Sequence, residues 1–189
     1  MSTWQQDIDK IHMLLAGLSF RDRAGRTLDV EAAFQSWRRL TIALRHSHRT
    51  VYLIGNGASA SMASHYAADL AKNARLHTEV FSDLSLITAI SNDLGYEKVF
   101  SEPLRRRAKR ADMLVAISSS GKSRNILAAV DVARRLGMSV VTLSAMSPRN
   151  PLRSLGDLNA FVATEVYGLA ETCHAAILHR WMDLMEVNT

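Results

Sequence analysis

From residue 50 onward the chain alternates between two patterns. Short runs rich in β-branched and apolar residues stand at 50–54 (TVYLI), 78–81 (TEVF), 112–117 (DMLVAI), 138–143 (MSVVTL) and 158–163 (LNAFVA). Helix-patterned stretches separate them at about 58–74, 97–110, 123–136 and 149–155, and a last one runs from about Gly168 to Val187. Apolar strands alternating with helices predict a parallel sheet covered on both faces. Right-handed crossovers then make a doubly wound α/β sandwich. The first 50 residues read as helical instead. Ser2 or Thr3 caps a helix to about Phe20, with Ile8, Ile11, Leu14, Leu15 and Leu18 on one face. A second helix is predicted from about Leu28 to Arg45, striped by Val30, Ala33, Phe34, Trp37, Leu40 and Leu44. One domain is the reading for residues 1–189: helices over 1–48, then an α/β core over 49–189.

Composition narrows the partners. With 48% hydrophobic and 22% charged residues, the chain reads as a soluble globular domain. A net charge of +5 suits a nucleic acid, an anionic membrane surface or a phosphorylated metabolite. The densest basic run, PLRRRAKRA at 103–111, has no interleaved aromatics and reads as a solvated helix face. No nucleic-acid partner is expected. The single cysteine, Cys173, excludes an intrachain disulfide and fits a reducing compartment. Acids stand where a signal peptide would be basic, and no apolar run is long enough to span a bilayer. A cytoplasmic location without membrane attachment is the expectation.

Doubly wound sheets bind ligands at the carboxyl ends of their strands. After the first strand comes GNGAS, Gly55 to Ser59. It reads either as a tight turn with a serine cap or as a close backbone approach to a ligand at a helix N-terminus. Ala60, three places after Gly57, breaks the dinucleotide fingerprint. After the third strand comes SSSGKS, Ser118 to Ser123, with more hydroxyls than one cap needs. Hydroxyls and N–H groups there suit a phosphate, and the helix dipole favours its charge. Ala116 stands where a Walker A loop needs glycine, so a small phosphate ester fits better than a nucleoside triphosphate. In ISNDLGY, Asn92 and Asp93 are either turn residues or ligand contacts.

Two helices carry paired histidines and carboxylates. His65 and Asp69 lie four apart, which is either a helix-stabilising contact or half of a site. The last helix offers Glu171, His174 and His179. Glu171 and His179 differ by about 80° around the axis, and His174 lies about 60° to the other side of Glu171. One reading is one buried and one surface histidine. The other is a metal site or an acid/base pair closed between the two helices.

Together these segments resemble the sugar isomerase (SIS) domain family, especially the phosphoheptose isomerases. The matching motifs are GNGASASMASHYAADL, AISNDLGYEKVFS, AISSSGKSRNIL with the following A..LGMSVVTL, and the terminal E..H....H. The resemblance implies an α/β fold, a three-layer αβα sandwich with a five-stranded parallel sheet preceded by two N-terminal helices. It further implies a homotetramer with sites between subunits. Ser118, Ser119, Ser120 and Ser123 would hold the sugar phosphate, and Asn56, Ser59 and Asp93 would line the sugar. His65, Asp69, Glu171 and His179 would hold Zn²⁺ or another divalent metal, with Glu171 also facing the substrate. Asp69 and His179 would serve as catalytic base and acid.

The chain departs from the family pattern at two of these positions and at Gly168. Asp69 replaces the usual glutamate, Glu171 the usual glutamine, and Gly168 an aspartate. The implied activity is aldose–ketose isomerisation, leading with sedoheptulose 7-phosphate to a heptose 7-phosphate through a cis-enediol. A longer ketose phosphate, such as an octulose 8-phosphate, is the alternative. One family branch instead binds the replication initiator DnaA, and it lacks the first-helix carboxylate and the last histidine. Asp69 and His179 are both present here, which favours the enzyme over a binding or regulatory protein.

Overall fold

The computed structural model describes residues 3–185. Its elements run α1 (Trp4–Ala16), β1 (Ser19–Asp22), β2 (Thr27–Leu28), α2 (Val30–His46), β3 (Thr50–Gly55), α3 (Ala58–Ala74), β4 (His77–Val80) and α4 (Leu84–Leu94). A 3₁₀ turn over Tyr96–Lys98 leads to α5 (Ser101–Arg107), β5 (Met113–Ser118), α6 (Arg124–Leu136) and β6 (Ser139–Ser144). A second 3₁₀ turn, Pro151–Ser154, precedes β7 (Leu158–Phe161) and α7 (Tyr167–Asp183). The sheet order is β2-β1-β7-β6-β5-β3-β4. The five expected strands, β3 to β7, are all present and mutually parallel.

Pleating divides their side chains between two cores. Val51, Leu53, Met113, Val115 and Ile117 face α2, α3 and α7. Tyr52, Ile54, Leu114 and Ala116 face α5 and α6. In the first core Trp37 of α2 stacks on Trp181 of α7 at 4.3 Å, and Trp181 Nε1 donates to Thr41 Oγ1 at 3.0 Å. These contacts tie α2 to α7.

Three expectations are corrected. The first helix ends at Ala16, because β1 and β2 follow it and pair antiparallel with each other and with β7. The sheet therefore has seven strands and is mixed. Thr3 is the N-cap, in a capping box with Gln6; Ser2 lies outside the described residues. The helix expected at 97–110 is a 3₁₀ turn followed by the shorter α5, and an unexpected helix, α4, precedes them. Asn92 and Asp93 sit in α4, so they are not turn residues. The basic run behaves as expected, with Arg105 and Arg106 exposed and paired to Glu102. Val187, the expected end of the last helix, lies outside the described residues.

Candidate active site

β3 leads to β4 on one flank, whereas β5 leads to β6 on the other. Crossovers that part in this way leave a crevice at the carboxyl ends of the two strands. Its first wall is the turn from β3 into α3. A Cβ on Gly55 would fall 2.5 Å from the backbone of Ser59, so the turn closes only on glycine. Gly57, at φ +56°, takes the N-cap position of α3 without a side-chain bond. Ser59 is thus not the cap, and its buried hydroxyl borders the crevice.

The opposite wall is the loop from β5 into α6. Gly121 adopts φ +62°, and any Cβ there would overlap the Asn150 carboxamide. Asn150 is itself buried and fixed, donating to the Ser144 hydroxyl at 3.2 Å and the Ser147 carbonyl at 2.9 Å. Ser123 stands at the N-cap of α6 but makes no cap bond. Its hydroxyl lies 3.3 Å from that of Ser118. The serines therefore face a shared space rather than serving the helix end.

Asn56, Ser59, Ser118, Ser119, Ser120, Ser123 and Glu171 line one cavity of about 150 Å³. These are the expected substrate-binding residues with the exception of Asp93. That residue is exposed near the end of α4, where Asn92 Nδ2 donates to its carboxylate at 2.8 Å. Tyr167 also lines the cavity and was missed in the sequence. The available signal was its place four residues before Glu171, on the same helix face.

The two histidine helices do meet. Tyr66 of α3 donates through its hydroxyl to the Ala175 carbonyl of α7 at 2.8 Å. Burial pushes its pKa up to about 12, so the phenol keeps that proton. Across this seam the rings of His65 and His179 lie 6.1 Å apart. His65 Nε2 stands 3.4 Å from Asp69, whose other oxygen is 3.5 Å from Lys72. His65 and His179 are exposed on the single chain. His174 is the opposite case: it is fully buried, with neither ring nitrogen hydrogen-bonded. Desolvation lowers its pKa to about 4 despite a partly offsetting approach to the Ser144 backbone. It is a neutral core side chain.

Two imidazoles and two carboxylates are a donor set suited to zinc. Among the described residues no three histidine, cysteine or acidic side chains already stand together at metal-ligand spacing. By donor type His65, Asp69, Glu171 and His179 fit a divalent ion.

Comparison with known proteins agrees with this fold. The SIS domain family profile matches residues 30–145. The chain is 32% identical over 171 residues to a phosphoheptose isomerase of Syntrophotalea carbinolica, covering 87% of this chain and 86% of that one. It is 32% identical over 153 residues to a phosphoheptose isomerase of Helicobacter pylori, covering 78% and 79%. Its fold superposes on the phosphoheptose isomerase of Neisseria gonorrhoeae with a TM-score of 0.82 at 25% identity, covering 97% and 95%. With its serine loop, its glycine turn and its paired histidine helices all in place, the chain belongs to the SIS domain family, among the phosphoheptose isomerases.

Proposed function

We propose that this chain is an aldose–ketose isomerase that converts sedoheptulose 7-phosphate to a heptose 7-phosphate. The observation that carries the reading is the cavity in which the serine loop, Ser59 and Glu171 converge, lined from the same two helices, α3 and α7, that carry His65, Asp69 and His179. The serine hydroxyls and the N-terminus of α6 bind the phosphate, and that remote binding energy positions the reacting end. Asp69 removes the C1 proton of the ketose, giving a cis-enediol. His179 moves protons between the C1 and C2 oxygens, and return of a proton to C2 completes the aldose. Hydrogen moves within the substrate, so no nicotinamide is required. His65, Asp69, Glu171 and His179 would hold a divalent metal, zinc by donor type, which supplies Lewis-acid polarisation of the sugar oxygens when bound.

The assembly we propose is a homotetramer with sites between subunits. Supporting it, His65, His179 and Asp93 are open on one chain, and α4 buries none of its residues. Among the described residues no helix is long and apolar enough to cross a membrane. A cytoplasmic location suits the phosphorylated substrate and the lone cysteine. A second reading, an octulose 8-phosphate, is favoured by Gly168: its Cβ position meets open space beside the cavity residue Tyr167.

The test is ¹H NMR of sedoheptulose 7-phosphate in D₂O with the metal-replete protein, beside Asp69→Asn and His179→Ala. A new anomeric aldose signal is expected with the wild type alone. Absence of turnover on both the heptulose and octulose phosphates, by folded and metal-loaded protein, overturns the enzyme. Chelation is expected to lower kcat and zinc to restore it. Unchanged kcat in protein shown to be metal-free removes the metal from the reading.

A further inference from the structure

The cavity residue Asn56 is held in a closed hydrogen-bond ring. Its Nδ2 donates to Asn125 Oδ1 at 3.0 Å, and Asn125 Nδ2 donates back to Asn56 Oδ1 at 2.9 Å. The backbone sets the direction of this exchange. The amide of Ile126 also reaches Asn125 Oδ1, at 2.9 Å. A backbone N–H only donates, so that atom of Asn125 must be the oxygen. Asn125 therefore turns its nitrogen toward an oxygen on Asn56. Tyr96 donates through its hydroxyl to the same Asn56 oxygen at 3.1 Å.

Two carboxamides paired reciprocally each use the oxygen and the hydrogen cis to it. The Asn56 oxygen accepts twice and has both lone pairs engaged. What Asn56 has left is the trans hydrogen on Nδ2. Asn125 is only 3% exposed and sits in the first turn of α6, directly after the serine loop. The ring thus fastens the turn after β3 to the loop after β5, and Tyr96 joins the 3₁₀ turn to both.

We propose that Asn125, assisted by Tyr96, is a positioning residue for ligand binding: it locks the Asn56 carboxamide so that the cavity meets one N–H donor and no acceptor. The ligand group this selects is an acceptor oxygen of the sugar phosphate, so the inference rests on the function proposed above. Without the ring the amide rotates freely and must be ordered when ligand binds, and its oxygen turns toward ligand oxygens in part of its range. The loss then falls on KM, because Asp69 and His179 are untouched.

The experiment compares N125D, N125A and Y96F with wild type in steady-state kinetics on sedoheptulose 7-phosphate across pH. N125D is near-isosteric, which guards against loss of the fold. At alkaline pH the introduced carboxylate opposes the Asn56 oxygen, and KM rises about tenfold with kcat within about twofold. As the pH falls the carboxyl protonates, donates to that oxygen and closes the ring again. The ratio of variant to wild-type KM then returns toward one. Burial and the facing oxygen raise the pKa of such a carboxyl. Glu97 and Arg124, the charged side chains that share a neighbouring hollow with Asn56, Tyr96 and Asn125, modulate where this happens. N125A is raised at every pH, and Y96F about threefold.

A KM ratio near one for N125D throughout, or a loss carried by kcat, overturns the proposal. So does an N125D ratio as independent of pH as that of N125A. Independently of turnover, the Asn56 side-chain amide protons should show slow exchange by ¹⁵N-edited NMR, lost in N125A. Unchanged exchange overturns the proposal even if the enzyme is active. Slow exchange in a wild type that turns over no sugar phosphate leaves the lock standing and defeats the enzymatic reading instead.

Discussion

His174 and His179 stand five residues apart on α7 and do opposite things. His179 is exposed at the seam with α3, while His174 is sealed in the core without a hydrogen bond. A histidine with a folded pKa of about 4 stays neutral there while the unfolded chain protonates near 6.5. Between those values the unfolded state binds more protons, so stability falls as pH drops through that window. The loss approaches a value on the order of 3 kcal/mol at its acid end. Urea denaturation at pH 7 and pH 5 should show this drop in the wild type, and His174→Leu should show much less of it. Sequence spacing put the two histidines on different sides of Glu171, which is why one buried and one surface residue was a legible outcome. It could not say which was buried, because that depends on the sheet beneath α7. Nor could spacing reveal the cavity, since Glu171 and the serines come from elements that only the fold brings together.

At the scale of elements, the site depends on two turns that tolerate no side chain. Gly121→Ala would drive a methyl into Asn150 and would also force an L-residue to φ +62°. It should cost at least about 2 kcal/mol by denaturant titration. It should also raise the KM for the sugar phosphate, because the hydroxyls at Ser119, Ser120 and Ser123 move with the loop. Tyr66→Phe should lower stability by about 1 kcal/mol, through loss of its bond to Ala175. The inner parallel strands β3, β5 and β6 were legible because each is mostly apolar and buried on both faces. β1 and β2 escaped notice because both are short, SFRD carries two charges, and an Asp22–Arg26 turn through Gly25 separates them. α4 escaped because its apolar positions were read as part of a connection, and none of them is buried within the chain.

At the scale of the whole molecule, exposed apolar side chains offer contact surfaces for the homotetramer proposed above. Leu84 at the start of α4 is 74% exposed and Trp4 at the start of α1 is 78% exposed. Light scattering after size exclusion should give a mass about four times 20.9 kDa. Leu84→Glu should shift it to smaller species, and a monomeric wild type would remove the assembly. The sheet itself limits how copies can join. One flank ends in β2, which is two residues long, and the other in the four-residue β4, where Glu79 is ion-paired with Arg107. Strands so short, one of them bearing a neutralised charge, offer little backbone for a neighbour to extend. The homotetramer we propose would therefore join its copies through helices rather than strand edges. By capping one flank of the sheet, the antiparallel ribbon beside β7 protects that flank from edge-to-edge fibre growth.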